Sequence, residues 1–269
     1  MEDFAQLLSK VSSLKLYDLG QPYFDNMPVH PEDPPFMMTI YKSHEDTSHL
    51  LSNVEPGFSY SLELVVSSMH SGTHIDALCH MARNYRFFRD VSVSEIFSHK
   101  GFKKYDSSEL PVFVKRCVLI DVASFLKRDC LPQKYEITAN DLLETVQWEG
   151  ITLRRGDVIL IRTGYAKLFT SDHKAYLHDY AGISLEAAEW IVKKEPSLVG
   201  IDNLALSPRD SLKIHLKFMV DAGIYVIKNM NLETMAQDKV FESLFIAIPL
   251  KVIGATGSLV RPIALAMNR

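Results

Sequence analysis

The rhythm of apolar and polar positions changes along this chain. Phe4, Leu7, Leu8 and Val11 recur at i, i+3, i+4 and i+7, the spacing of an amphipathic helix, ahead of a first strand near Lys15–Leu19. Five prolines, at 22, 28, 31, 34 and 35, then fix φ and remove donors, so this segment is expected to be a stiff irregular arm. Ser59 to Ser67 alternates as a strand does. From about residue 111 continuous apolar runs replace alternation, and Val118–Val122, Val158–Arg162, Leu198–Ile201 and Ile224–Ile227 read as buried strands.

Helical stretches separate these runs. Thr138 and Asp141 form a capping box for a helix through about Trp148. Ser184 caps a second helix bearing Trp190, with Pro196 after it, and a third from about Leu212 to Ala222 carries His215 and ends at Gly223. Both tryptophans read as core. Two tail runs, Leu244–Ile253 and Leu259–Ala266, are joined by Gly254-Ala255-Thr256-Gly257, which reads as a hairpin. The pattern predicts a single α/β domain over residues 1–269, a mixed β-sheet or partly closed barrel flanked by helices.

Composition narrows the functional classes. With 47% hydrophobic and 23% charged residues and a formal net charge of -4, the chain offers no electrostatic reason for a nucleic acid or an anionic membrane as partner. The run Arg83-Asn84-Tyr85-Arg86-Phe87-Phe88-Arg89 reads as a pocket wall or a subunit contact. No apolar run approaches a membrane span, the start lacks a secretory signal, and three cysteines form no metal knuckle, so reduced thiols in the cytoplasm are expected.

The candidate chemistry lies in His70-Ser71-Gly72-Thr73-His74-Ile75-Asp76-Ala77-Leu78-Cys79-His80. A helix would put His70 and His74 on one face, but Gly72 and Thr73 disfavour it. On an extended path His70, His74, Asp76 and His80 share one parity, while Ile75, Ala77 and Cys79 face the other side. Gly72 leaves room for a turn or for a close ligand. Imidazoles with a carboxylate suit Zn, Mn or Fe(II), and two or three protein ligands leave a coordination position open for water. His44 and His49 lie in a polar stretch without ligand spacing and read as surface residues.

That stretch resembles the His-x-Gly-Thr-His-x-Asp-x-Pro-x-His signature of the cyclase-like metal-dependent hydrolases. Leu78 replaces the proline, as in a subgroup of longer members. Similarity extends from Tyr17-Asp18-Leu19 through Met27-Pro28-Val29-His30-Pro31 to Gly254-Ala255-Thr256-Gly257-Ser258 and Val260-Arg261-Pro262. The resemblance implies a swivelling β/β/α scaffold, with His70, His74 and Asp76 holding a first metal and His80 as proton donor and acceptor. It places His30 at a substrate-contacting position and His215 at a ligand position for a second metal.

One position departs from the two-metal members, where a glutamate in a stretch resembling Ile-x-Glu-Asn-Leu bridges both ions. Here that stretch reads Val226-Ile227-Lys228-Asn229-Met230, so Lys228 takes the glutamate position. An ammonium repels a second cation. Either it steadies an oxyanion beside one retained metal, or it switches the site off and leaves a ligand binder without catalysis. Since some members work with a single manganese, the resemblance implies a hydrolase with one divalent ion per chain, Mn or Zn. The implied substrate is a small cyclic or acyl amide, arylformamide- or lactam-like. A lyase or cyclase acting on a related carbonyl compound is the alternative enzyme class. The expected assembly is a homodimer or homotetramer.

Overall fold

Val158-Ile159-Leu160-Ile161-Arg162 shows how this sequence builds its centre. Val158 and Leu160 enter one hydrophobic cluster while Ile159 and Ile161 enter another, so the strand is covered on both faces and needs a continuous apolar run. The structure, a computed structural model, describes residues 9–50, 53–178 and 180–267. In it, Val158–Arg162 lies parallel to Phe113–Asp121 and Leu198–Ile201, and the latter parallel to Tyr225–Lys228. These four strands form the middle of a nine-stranded sheet.

Antiparallel strands complete it on both sides. Glu242–Ala247, Ile263–Met267 and Leu14–Asp18 follow Phe113–Asp121, whereas His74–Asp76 and Gly257–Leu259 follow Tyr225–Lys228. The sheet is mixed and curled, with helices packed against it. The helices Ala139–Glu149 and Leu185–Val192 begin at the predicted caps, Thr138 and Ser184, whose side chains accept backbone N–H groups. Leu142, Val146, Ala187, Ala188 and Ile191 join the core cluster that also takes Ile159, Ile161 and Val226. His74, Asp76 and Lys228 share the parity of Val226 across the ladder, so the polar site opens on the helix-covered face.

Several expectations change. Residues 9–12 are helical, but Phe4, Leu7 and Leu8 lie outside the described residues. The alternating segment narrows to Leu62–Val66 and pairs with Met37–Lys42 in a separate two-stranded ribbon. The two tail runs do pair, Leu244 opposite Leu265, but no tight hairpin at 254–257 joins them. Val260-Arg261-Pro262 separates Gly257–Leu259 from Ile263–Met267, and Gly257–Leu259 pairs with His74–Asp76 instead. The helix bearing His215 is α-helical over Ser211–His215 and continues as a π-helix through Leu216–Asp221. Trp148 is not core: it is half exposed and rests on Phe125 and Phe241.

Candidate metal centre and its pocket

Only His74–Asp76 of the histidine-rich stretch is a strand. His70 and His80 reach the same place through turns on either side of it, so the convergence expected from parity is present while the extended path is not. Gly72 makes the first turn at φ +53, and a Cβ there would meet the Tyr23 ring at 2.7 Å. The space that glycine leaves therefore holds Tyr23 of the proline arm, whose hydroxyl donates to the Thr73 carbonyl at 2.6 Å. Cys79 faces away and is buried, its thiol directed at the Ala255 carbonyl.

Asp76 lies at the centre of the cluster. Its Oδ1 is 2.9 Å from His70 Nδ1 and 3.5 Å from His74 Nε2, and its Oδ2 is 3.3 Å from Lys228 Nζ and 3.7 Å from His215 Nε2. Lys228 stands opposite His74 in the antiparallel ladder, and its Nζ lies 3.5 Å from His215 Nε2. His215 Nδ1 donates to the Ser211 carbonyl at 2.7 Å, which turns Nε2 toward the lysine. The His80 ring stacks on His70 with centroids 4.1 Å apart. Thr256, expected only as part of a hairpin, lies with Oγ1 2.9 Å from His70 Nε2.

Burial and neighbouring charge set the protonation states. Burial alone would raise the Asp76 carboxyl, but Lys228, then His80, His70 and His74, hold it well below the usual carboxylate range. Burial lowers His74 and pushes His80 down to about 3, with Asp76 opposing in both cases. His215 falls to about 4 through burial and then the Lys228 charge. All three imidazoles are neutral at pH 7, as metal ligation or proton acceptance requires.

His70, His74 and Asp76 offer ligand atoms within 4.8 Å of one another. His74 Nε2 and Asp76 Oδ2 are buried and make no hydrogen bond. Buried polar atoms are rarely left in that condition, so this donor set fits a divalent cation. A cavity of about 340 Å³ opens above it, lined by His70, His74, His80, His215 and Lys228. His30 lies at its exposed rim with Glu32 and Asp33, and Met81, Tyr180, Leu204 and Leu212 form apolar wall. Of these only His30 was legible in the sequence, through the family resemblance, since nothing in the spacing ties the others to the histidine-rich stretch.

Residues 17–208 match the Cyclase family model. Kynurenine formamidase of Bacillus cereus is 26% identical over 247 residues, spanning 91% of this chain and 95% of that protein. The crystal structure of a novel cyclase is similar at TM-score 0.85 and 26% identity, over 97% of this chain and 90% of that one. Isatin hydrolase A of Labrenzia aggregata, bound to benzyl benzoate, shares the fold at TM-score 0.74 and 21% identity, over 98% and 99% of the two chains. With a match covering well over half of the 269 residues, on a mixed sheet shared with these structures, the protein belongs to the Cyclase family.

Proposed function

We propose that this protein is a metal-dependent hydrolase that cleaves the C–N bond of a small cyclic or acyl amide, with one divalent ion, Mn or Zn, held by His70, His74 and Asp76. The observation that carries this reading is the pair of buried atoms that make no hydrogen bond, His74 Nε2 and Asp76 Oδ2, beneath a cavity. A bound divalent ion supplies Lewis acidity, polarising a carbonyl and acidifying a water. His80, neutral and against the His70 ring, takes the proton of the attacking water and returns it to the leaving nitrogen. The Lys228 ammonium, kept in place by Asp76 and His215, faces the negative charge that grows on the substrate oxygen. Buried Leu204 and half-buried Met81 exclude water from one side, and His30 meets the substrate at the rim.

Metal analysis combined with turnover of an arylformamide and an isatin-like lactam tests this. Stoichiometric metal with hydrolysis is expected. Metal with ring closure or elimination instead would assign a cyclase or lyase, and a chain that binds no metal would be a ligand binder.

Self-association belongs to the same proposal. Of the aromatic run, Phe87 is buried and Phe88 packs against Gly223 of its own chain, which leaves Tyr85 as its one exposed aromatic residue, and a broader apolar surface lies elsewhere. Met37, Met38, Ile40, Leu64, Val65 and Val66 on the ribbon are each about half exposed. Beside it runs an apolar groove of about 490 Å³ that includes Phe36, Ile246, Ile248 and Leu250. Exposed apolar surface of this extent suits a second copy of the chain. Light scattering should give a dimer or tetramer, and a monomer at micromolar concentration would overturn that. Among the described residues no helix is long and apolar enough to cross a membrane, and the three free cysteines accord with the reducing cytoplasm we propose as its location.

A further inference from the structure

The Gly72 carbonyl accepts two hydrogen bonds, from His74 Nδ1 at 2.8 Å and from Asn229 Nδ2 at 2.7 Å. Asn229 is fixed on its other side, where Oδ1 accepts the Tyr176 hydroxyl at 2.7 Å. Its backbone carbonyl accepts the Thr73 hydroxyl at 2.6 Å, and Thr73 Oγ1 in turn accepts the Gln21 N–H at 2.8 Å. Tyr176, Thr73, Asn229 and His74 are at most 1% exposed, so water does not compete for these bonds.

The protons in this chain of contacts have one arrangement. A carbonyl only accepts, so the imidazole nitrogen facing Gly72 carries hydrogen and the Asn229 amide must present its NH₂. Oδ1 then faces Tyr176, whose hydroxyl donates. Nε2 of His74 is left with its lone pair free beside Asp76, and it is the ring's unpartnered atom. Asn229 also turns the chain at φ 57, a conformation asparagine tolerates, directly after Lys228. One strand end thus supplies both the ammonium and the amide.

We propose that Asn229, held by Tyr176, is a positioning residue that fixes the ring orientation and tautomer of His74 so that Nε2 is the metal-binding atom. Its consequence for the ion rests on the metal reading of the site, whereas the tautomer does not. The test pairs proton–nitrogen NMR of ¹⁵N-labelled imidazoles in metal-free protein with calorimetric titration of zinc. The His74 signal is assigned by its absence in His74→Ala.

Wild type should show hydrogen on Nδ1. Asn229→Gly, which keeps the positive φ, should show mixed tautomers and bind zinc about 10- to 100-fold more weakly. A merely structural role would lower stability without moving the tautomer of the folded protein. Should that variant fail to fold, Tyr176→Phe decides, with an expected loss toward the lower end, about tenfold. Hydrogen on Nε2 in the wild type, or unchanged tautomer and affinity in folded Asn229→Gly, would overturn the proposal, as would unchanged affinity in Tyr176→Phe. A wild type that binds no zinc would overturn the metal reading instead, and the NMR result would still decide the tautomer.

Discussion

Arg162 and Lys228 each close a parallel strand, and each reaches a buried carboxylate, but the surroundings they make are opposite. Arg162 binds Asp121 Oδ1 at 2.8 Å, both oxygens of Glu233 at 2.9 Å, and the Asp129 carbonyl at 3.1 Å. None of these residues lines the cavity over the metal centre. Around Lys228, His74 Nε2 and Asp76 Oδ2 stay without hydrogen bonds and the group borders open space. Asp121 Oδ2 in the Arg162 network is buried without a hydrogen bond too, so it is the open cavity beside Asp76, and not a bare oxygen alone, that marks the Lys228 cluster as a ligand site.

The largest expected effect is a double dissociation between the two clusters. His74→Ala should remove the metal and lower turnover by more than the ~10²–10³-fold that a single oxyanion donor is worth, with the fold retained. Glu233→Ala should do the reverse. It strips the buried Arg162 of its bidentate partner, at a cost of about 3–5 kcal/mol in stability, while metal per folded chain stays unchanged. Metal content and denaturant unfolding on both variants check this. Metal loss in Glu233→Ala would erase the distinction.

The two clusters were unequally legible in the sequence. Val158–Arg162 and Leu198–Ile201 appeared with their observed bounds, since a strand covered on both faces must be apolar throughout. His70, His74, Asp76 and His80 were visible because they fall within eleven residues. His215 and Lys228 approach Asp76 from more than a hundred residues away, which spacing cannot show; only the family resemblance pointed there. Asn229 showed only as the asparagine after Lys228 in the family stretch, and Tyr176 carried no signal at all, since what they do depends on a bond between their side chains and on one backbone carbonyl at Gly72. The strand expected over Ser59 to Ser67 is present as Leu62–Val66 but with bounds read too wide, because each of its residues is exposed and the inward-outward alternation has no core to report on.

Lys228 sharpens the comparison next. With Nζ at 3.3 Å from Asp76 Oδ2 and 3.5 Å from His215 Nε2, it sits where a second cation would need those same atoms. Repulsion of about 4 kcal/mol per unit of charge on the ion, at an effective dielectric of about 20 and ~4 Å, should then hold the wild type to one metal. Lys228→Glu should raise the count toward two by placing a carboxylate beside Asp76 and His215. Metal counting on both proteins reads this directly. Two ions in the wild type, or one in both, would show that the ammonium does not exclude the second ion.

The smallest effect concerns a third buried carboxyl. Glu149 ends the helix Ala139–Glu149 and accepts the Asp121 N–H at 2.7 Å, and its other oxygen is buried without a partner. Burial first, and then the Asp121 charge, push it up to about 8, whereas the Lys228 ammonium keeps the more deeply enclosed Asp76 low. Between its ordinary value of 4.5 and about 8 the folded chain therefore holds a proton that the unfolded chain releases. The stability this contributes is fully present below pH 4.5 and is lost as the pH rises through about 8. Glu149→Gln keeps the neutral form at every pH, so relative to the variant the wild type should lose a few kcal/mol at most between pH 5 and pH 8. Urea unfolding at both pH values measures the difference. Parallel pH dependence in the two proteins would mean that Glu149 is ionised when folded, and that burial beside Asp121 does not suffice to neutralise an acid here.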